Sequence, residues 1–187
     1  MKPGQKYLRG LFSGGALAAE AFILWEEILG DVFSNVAAAP RLKLEDAARS
    51  DGNCAVDLGE DEFTVSRPHP MINNDLRIRR LMQEASDPEV AVILLDVVLG
   101  YGAHPDPASE LGPAIRQARE HATGEGRELV VVTSVTGTEG DPQGLSRQVR
   151  ALEEAGAVVC GCNAAAARLA GFVATWLRDI TCLGGIS

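Results

Sequence analysis

The chain has 187 residues, 46% of them apolar and 23% charged, with 20 glycines and a formal net charge of −9. That balance fits one soluble globular domain over residues 1–187 with a sizeable core. It argues against nucleic acid or an anionic membrane surface as a partner, but not against a small anion held by local backbone amides.

Residues 7–13 (YLRGLFS) read as a first strand that runs into Ser13-Gly14-Gly15. Residues 16–29 carry Leu17, Ala21, Leu24 and Ile28 at helical spacing, with Gly30 as a C-cap. Residues 32–51 have weak periodicity and are suited to a short strand plus an excursion loop. A second strand at 54–58 (CAVDL) leads into a polar loop over 59–74, and residues 75–86 form a helix with Asp75 as its candidate N-cap.

The run at 90–100 is apolar or glycine except for Asp96, and reads as a strand buried on both faces in a parallel sheet. A carboxylate buried there without a partner costs several kcal/mol or takes up a proton. A helix over 108–122 follows Pro107, and a fourth strand occupies 128–135. A helix over 143–155 ended by Gly156, a fifth strand at 157–161 and a last helix over 164–177 complete the pattern. Strands alternating with helices at this spacing imply right-handed βαβ units: an α/β three-layer sandwich with a mainly parallel sheet of about five strands.

In a parallel sheet the loops after the strands emerge on one edge, where such folds bind ligands. Ser13, Gly14 and Gly15 offer a hydroxyl and free amides just before a helix, suited to a carboxylate or phosphate. In Arg67-Pro68-His69-Pro70 two prolines fix an imidazole suited to acid–base work, beside a guanidinium fork for an anion. Gly100, Tyr101, Gly102 and His104 form a loop that allows close backbone approach to a ligand, with Asp96 just upstream. Thr138, Glu139 and Gly140 form a third polar loop in which Glu139 is suited to positioning an amide or ammonium group.

Each loop also has an ordinary reading. The glycines make turns, Asp106 and Asp141 cap helices, His69 and His104 tie loops to the backbone, and Asp57 with the Glu60-Asp61-Glu62 run is partly solvated. His121 reads as solvated. The four cysteines Cys54, Cys160, Cys162 and Cys182 fit no disulfide or zinc pattern, Cys160 and Cys162 read as small buried apolar residues, and no metal site is expected. No secretory signal or transmembrane span is visible, and the cytoplasm is the expected location.

Taken together, LRGLFSGGAL, VDLGEDEFTVSRPHPMI, VILLDVVLGYGAHPDPA and VTGTEGDPQ resemble the FdrA family, which is related to the succinyl-CoA synthetase α subunit. The likeness runs from Tyr7 to Val173 and implies the ligase-type, flavodoxin-like portion of an acyl-CoA synthetase-like enzyme. It further implies a small carboxylate activated as an acyl or carbamoyl phosphate, with oxamate or oxalurate carbamoyl transfer as one form. No tightly bound cofactor is implied; CoA or the acyl or carbamoyl phosphate enters as substrate. A Rossmann-type CoA-binding domain or other subunit is the expected protein partner.

In the related synthetases the loop after the strand matching residues 129–135 carries a glycine-flanked phosphohistidine. Here that loop reads TGTEGDPQ and has no histidine. The phosphoryl relay by that route is therefore not expected, and His69 and His104 lie in other loops. The alternative is a noncatalytic ligand-binding or assembly module that retains the fold.

Overall fold

The computed structural model describes residues 2 and 4–183, with side chains through Trp176. Six strands form one parallel sheet: β1 (Tyr7–Phe12), β2 (Phe33–Ser34), β3 (Cys54–Asp57), β4 (Val90–Val98), β5 (Val130–Thr136) and β6 (Val158–Cys160). Their order is β2-β3-β1-β4-β5-β6, and every pairing is parallel. The sixth strand beyond the five expected is β2, two residues long at the sheet edge, too short for its own hydrophobic pattern to show. It lies in the ambiguous 32–51 stretch.

The helices are α1 (Gly15–Leu29), α2 (Asp61–Thr64), α3 (Asp75–Ala85), α4 (Pro107–Gly124), α5 (Leu145–Glu154) and α6 (Asn163–Leu183). The four-residue α2 interrupts the polar loop read over 59–74. Asp75 opens α3 rather than capping it: Asn74 holds the N-cap position without a side-chain bond, and the Asp75 amide donates to Asn73 Oδ1 at 2.9 Å.

The central strand shows why this sequence makes three layers. All of β4 except Val98 is buried, and its residues alternate between two cores. Ile93, Leu95 and Val97 join Leu81, Leu111, Ile115 and Leu152 of the α3–α4–α5 layer. Val92 and Leu94 join Ala18, Ala21, Trp25, Ala167 and Ala170 of the α1–α6 layer. A strand with both faces covered has no polar face to show, hence its continuous apolar run. Trp25 locks the second layer, its indole nitrogen donating to the Ala167 carbonyl at 2.8 Å. Gly10 makes room for that ring, since a β-carbon there would sit 2.6 Å from it.

The chain leaves β1 to one side for β3, then returns to the other side for β4. The switch point therefore lies between the C-terminal ends of β1 and β4, the place where open α/β sheets open a ligand crevice.

Candidate functional site

The floor of the crevice is a buried ionic knot. Asp96, fully buried near the end of β4, accepts the Ser13 amide at 2.8 Å and the Ser13 hydroxyl. Arg77 of α3, 2% exposed, pairs with Asp96 Oδ1 at 3.1 Å and also donates to the Asp96 carbonyl. Burial pushes the Arg77 guanidinium below its ordinary value, with Asp96 pulling it back up. Asp96 is thus partnered from both sides, and its carboxylate pins the turn after β1 to β4. Arg77 is half of this knot and had no separate signal in the sequence, because an arginine on a polar helix reads as solvated.

Above the knot, Ser13, Gly14 and Gly15 lead into α1. Its N-terminus has no side-chain cap bond and no acidic residue in the first turn, so its first amides are left without a capping side chain. Beside them stands Asp57 at the end of β3, only 3% exposed and not partly solvated as the sequence implied. Asn35 holds its backbone in both directions, donating to the Asp57 carbonyl and accepting its amide, each at 2.9 Å. Asp57 Oδ1 accepts the Gly59 amide at 2.8 Å. Burial raises the Asp57 carboxyl above the usual range; the Gly59 amide opposes that, Glu60 and Asp96 add to it, and His69 opposes it. The warning was legible, since Asp57 ends an apolar strand as Asp96 nearly does.

His69 reaches this same corner. A β-carbon on Gly59 would lie 2.8 Å from His69 Nε2, 2.8 Å from the Ser13 carbonyl and 3.0 Å from Asp57 Oδ1, so the three groups crowd one spot that only glycine leaves open. The Met71 amide donates to His69 Nδ1 at 3.2 Å, which places the ring proton on Nε2. His104 repeats the device: the Asp106 amide donates to its Nδ1 at 3.1 Å, and its Nε2 faces Glu110 Oε2 at 3.2 Å. The His104 amide donates to the Met71 carbonyl at 2.8 Å, tying the two histidine loops together.

Beyond His104 the loops close on themselves. Gln143 accepts the Gly100 amide at 3.1 Å and donates to the Gly100 and His104 carbonyls at 2.9 and 3.0 Å. Asp106 stands at the α4 N-cap position without a cap bond; its carboxylate instead meets Arg147 at 2.7 Å and Gln148 at 2.9 Å. Burial would raise its carboxyl, but Gln148 and Arg147 together hold it below the ordinary range. Glu139 Oε1 accepts the Ser146 amide at 2.8 Å and the Ser146 hydroxyl, serving the first turn of α5. Asp141 does not cap a helix; it accepts the Thr138 amide at 2.6 Å and the Thr138 hydroxyl at 3.1 Å. Gly140 sits inside that turn, and Tyr101, 92% exposed, projects into solvent beside Gly102.

Arg67 is not gathered with these groups. It is exposed and lines a separate cavity of about 480 Å³ with Phe63, Leu76 and Arg79 along α2 and α3. Cys54 is buried and Cys160 half-buried, whereas Cys162 is exposed rather than buried as read; the side chain of Cys182 lies outside the described residues. His121 is exposed, with Glu125 at 3.8 Å. Among the described residues no cluster of His, Cys, Asp and Glu is arranged to hold a metal ion, and no helix is long and apolar enough to cross a membrane.

Comparison with known proteins gives these loops a family. Residues 11–173 match the CoA-ligase family model. The chain is 41% identical over 184 residues to the uncharacterized protein YahF of Escherichia coli (strain K12), an alignment that takes in 98% of this chain and 34% of that one. The chain therefore spans about a third of the curated relative's length. A match over most of the chain, on a parallel α/β sheet with its polar loops at the switch point, places the chain in the CoA-ligase family.

Proposed function

We propose that the chain is the ligase-type module of an acyl-CoA synthetase-like enzyme of the FdrA type, handling a small carboxylate through an acyl or carbamoyl phosphate. The observation that carries the reading is the uncapped start of α1 at the switch point of a CoA-ligase chain. Its amides and dipole suit the phosphoryl or carboxylate end of such a substrate. Carbamoyl transfer that interconverts oxamate plus carbamoyl phosphate with oxalurate plus phosphate is the specific form we favour. CoA and the acyl or carbamoyl phosphate enter as substrates, in the cytoplasm. A Rossmann-type CoA-binding domain, elsewhere in a longer chain or on another subunit, completes the site.

The histidines have no carrier role in this reading. Each has Nδ1 bound to an amide two residues on and a proline immediately after it, which holds the ring in place. A phosphoryl carrier needs an in-line approach and freedom to travel. Incubating the protein, with its partner subunit, with labelled nucleoside triphosphate or acyl or carbamoyl phosphate tests this. Acyl-CoA or carbamoyl product is expected without acid-labile phosphate on this chain; stoichiometric phosphate on His69 or His104 would restore a relocated relay. Activity untouched by His69→Ala and Arg67→Ala would remove both residues from the site.

A noncatalytic assembly module is the second reading. It draws on the loops after β4 and β5, whose polar side chains are taken up by backbone groups of the same loops and of α5. Absence of product from the assembled protein would favour it.

A further inference from the structure

Two oxygens of one carboxyl have different surroundings at the crevice. Asp57 Oδ1 accepts the Gly59 amide and stands beside His69 Nε2 over the bare face of Gly59. Asp57 Oδ2 has no hydrogen-bond partner among the described residues, and lies 3.0 Å from where a β-carbon of Gly15 would be. A carboxyl that is 3% exposed thus aims an unpartnered oxygen at the first turn of α1. Its neighbours in charge are Glu60 on its own loop, Asp96 on β4 and His69 on the loop before α3. Asp96 is already paired with Arg77, leaving His69 as the one of the three that opposes the raised Asp57 carboxyl.

An anion bound by the α1 amides would meet this oxygen at close range. Two negative charges cannot share one partly dry helix end without a strong penalty, so one of them takes a proton. Sulfate is a far weaker base than a carboxylate, so with that anion bound the proton goes to Asp57.

We propose that Asp57 is the proton-exchanging group of the crevice: its carboxylate takes one proton from solvent as an oxyanion docks on the α1 amides, and His69 positions it. The step balances as carboxylate plus one proton giving carboxylic acid, which then donates a hydrogen bond from Oδ2 to the docked oxyanion. When the anion leaves, the proton returns to solvent. The role assigned to His69 by sequence reading passes to Asp57, and the imidazole becomes a positioning residue. The proposal rests on the crevice reading above and adds that anion affinity is tied to pH.

The test is sulfate titration calorimetry on the full chain at constant ionic strength between pH 5 and 8, in paired buffers of different ionisation heat. Wild type is expected to take up as much as one proton per sulfate, its affinity falling by up to about tenfold per pH unit where uptake is complete. Asp57→Asn should bind sulfate with no linked proton and a flat pH profile. His69→Gln should keep the uptake but move its midpoint to higher pH, because the imidazole that opposes the raised Asp57 carboxyl is gone. Sulfate binding without proton uptake in wild type overturns the proposal and leaves the crevice reading standing. Uptake that survives Asp57→Asn and vanishes in His69→Gln also overturns it, by moving the proton to the histidine. No sulfate binding by any of the three proteins defeats the crevice reading itself, and the proposal with it.

Discussion

The two sides of the switch point are built from similar loops but finish differently. On the β4–β5 side, Gln143, Asp106, Glu139 and Asp141 are bound to neighbouring loop or helix groups. On the β1–β3 side, α1 begins without a cap and Asp57 keeps one oxygen free of hydrogen bonds. Asp57 Oδ2 is not sealed in the core, so an oxygen that no protein group satisfies stays within reach of a ligand at the crevice. The glycine- and acid-rich loop TGTEGDPQ is on the side that closes on itself.

The largest effect that would sharpen this contrast is at the knot joining both sides. Asp96→Ala leaves the Arg77 guanidinium buried and unpaired, and breaking such a pair costs about 3–5 kcal/mol. Denaturant unfolding should show that loss together with a disordered Ser13 turn. Retention of full stability would mean that the pair does not join β1, α3 and β4 as described.

Glu139→Ala probes the closed side. It removes the acceptor for Ser146 at the exposed first turn of α5, an effect of at most about 1 kcal/mol. Thermal unfolding should register a small drop in Tm while sulfate affinity stays unchanged. A clear loss of sulfate binding would put Glu139 back among the ligand-contacting groups and break the contrast.

The finest test is the pH dependence of stability set by Asp57. Its carboxyl is raised in the folded state by burial, so its contribution to stability is full below the unfolded value and is lost as pH rises through the folded one. Wild type should therefore lose stability relative to Asp57→Asn as pH rises above the ordinary aspartate value. Parallel stability curves for the two proteins would show that Asp57 is not held in a raised state.

Much of the scaffold was legible because it rests on repeating patterns. The apolar run of β4, the helix spacing around Leu17, Ala21 and Leu24, and the glycines closing helices all report local physics. β2 was expected only as a short strand somewhere in residues 32–51, and α2 escaped, because two and four residues are too few for a period to show. The site was harder, since burial of a polar group is decided by distant partners. Asp96 stood out inside an apolar run, but Arg77, nineteen positions away, carried no mark of being its counter-ion. Asp57 carried the same signal as Asp96 at the end of a shorter strand, and the acidic run after it drew the reading toward solvent. The shared His-Pro pattern of His69 and His104 was visible, whereas their bonds to the amides two residues on depend on loop geometry.

The central claim is that an oxyanion sits on the β1–β3 side, at the start of α1. Backbone amide shifts recorded by NMR during a sulfate titration test it most directly. The account predicts the largest, saturating shifts at Gly14, Gly15 and Ala16, with Gly59 following and Thr138, Glu139 and Gly140 unmoved. Saturating shifts centred on residues 138–140, with the α1 amides unmoved, would contradict it.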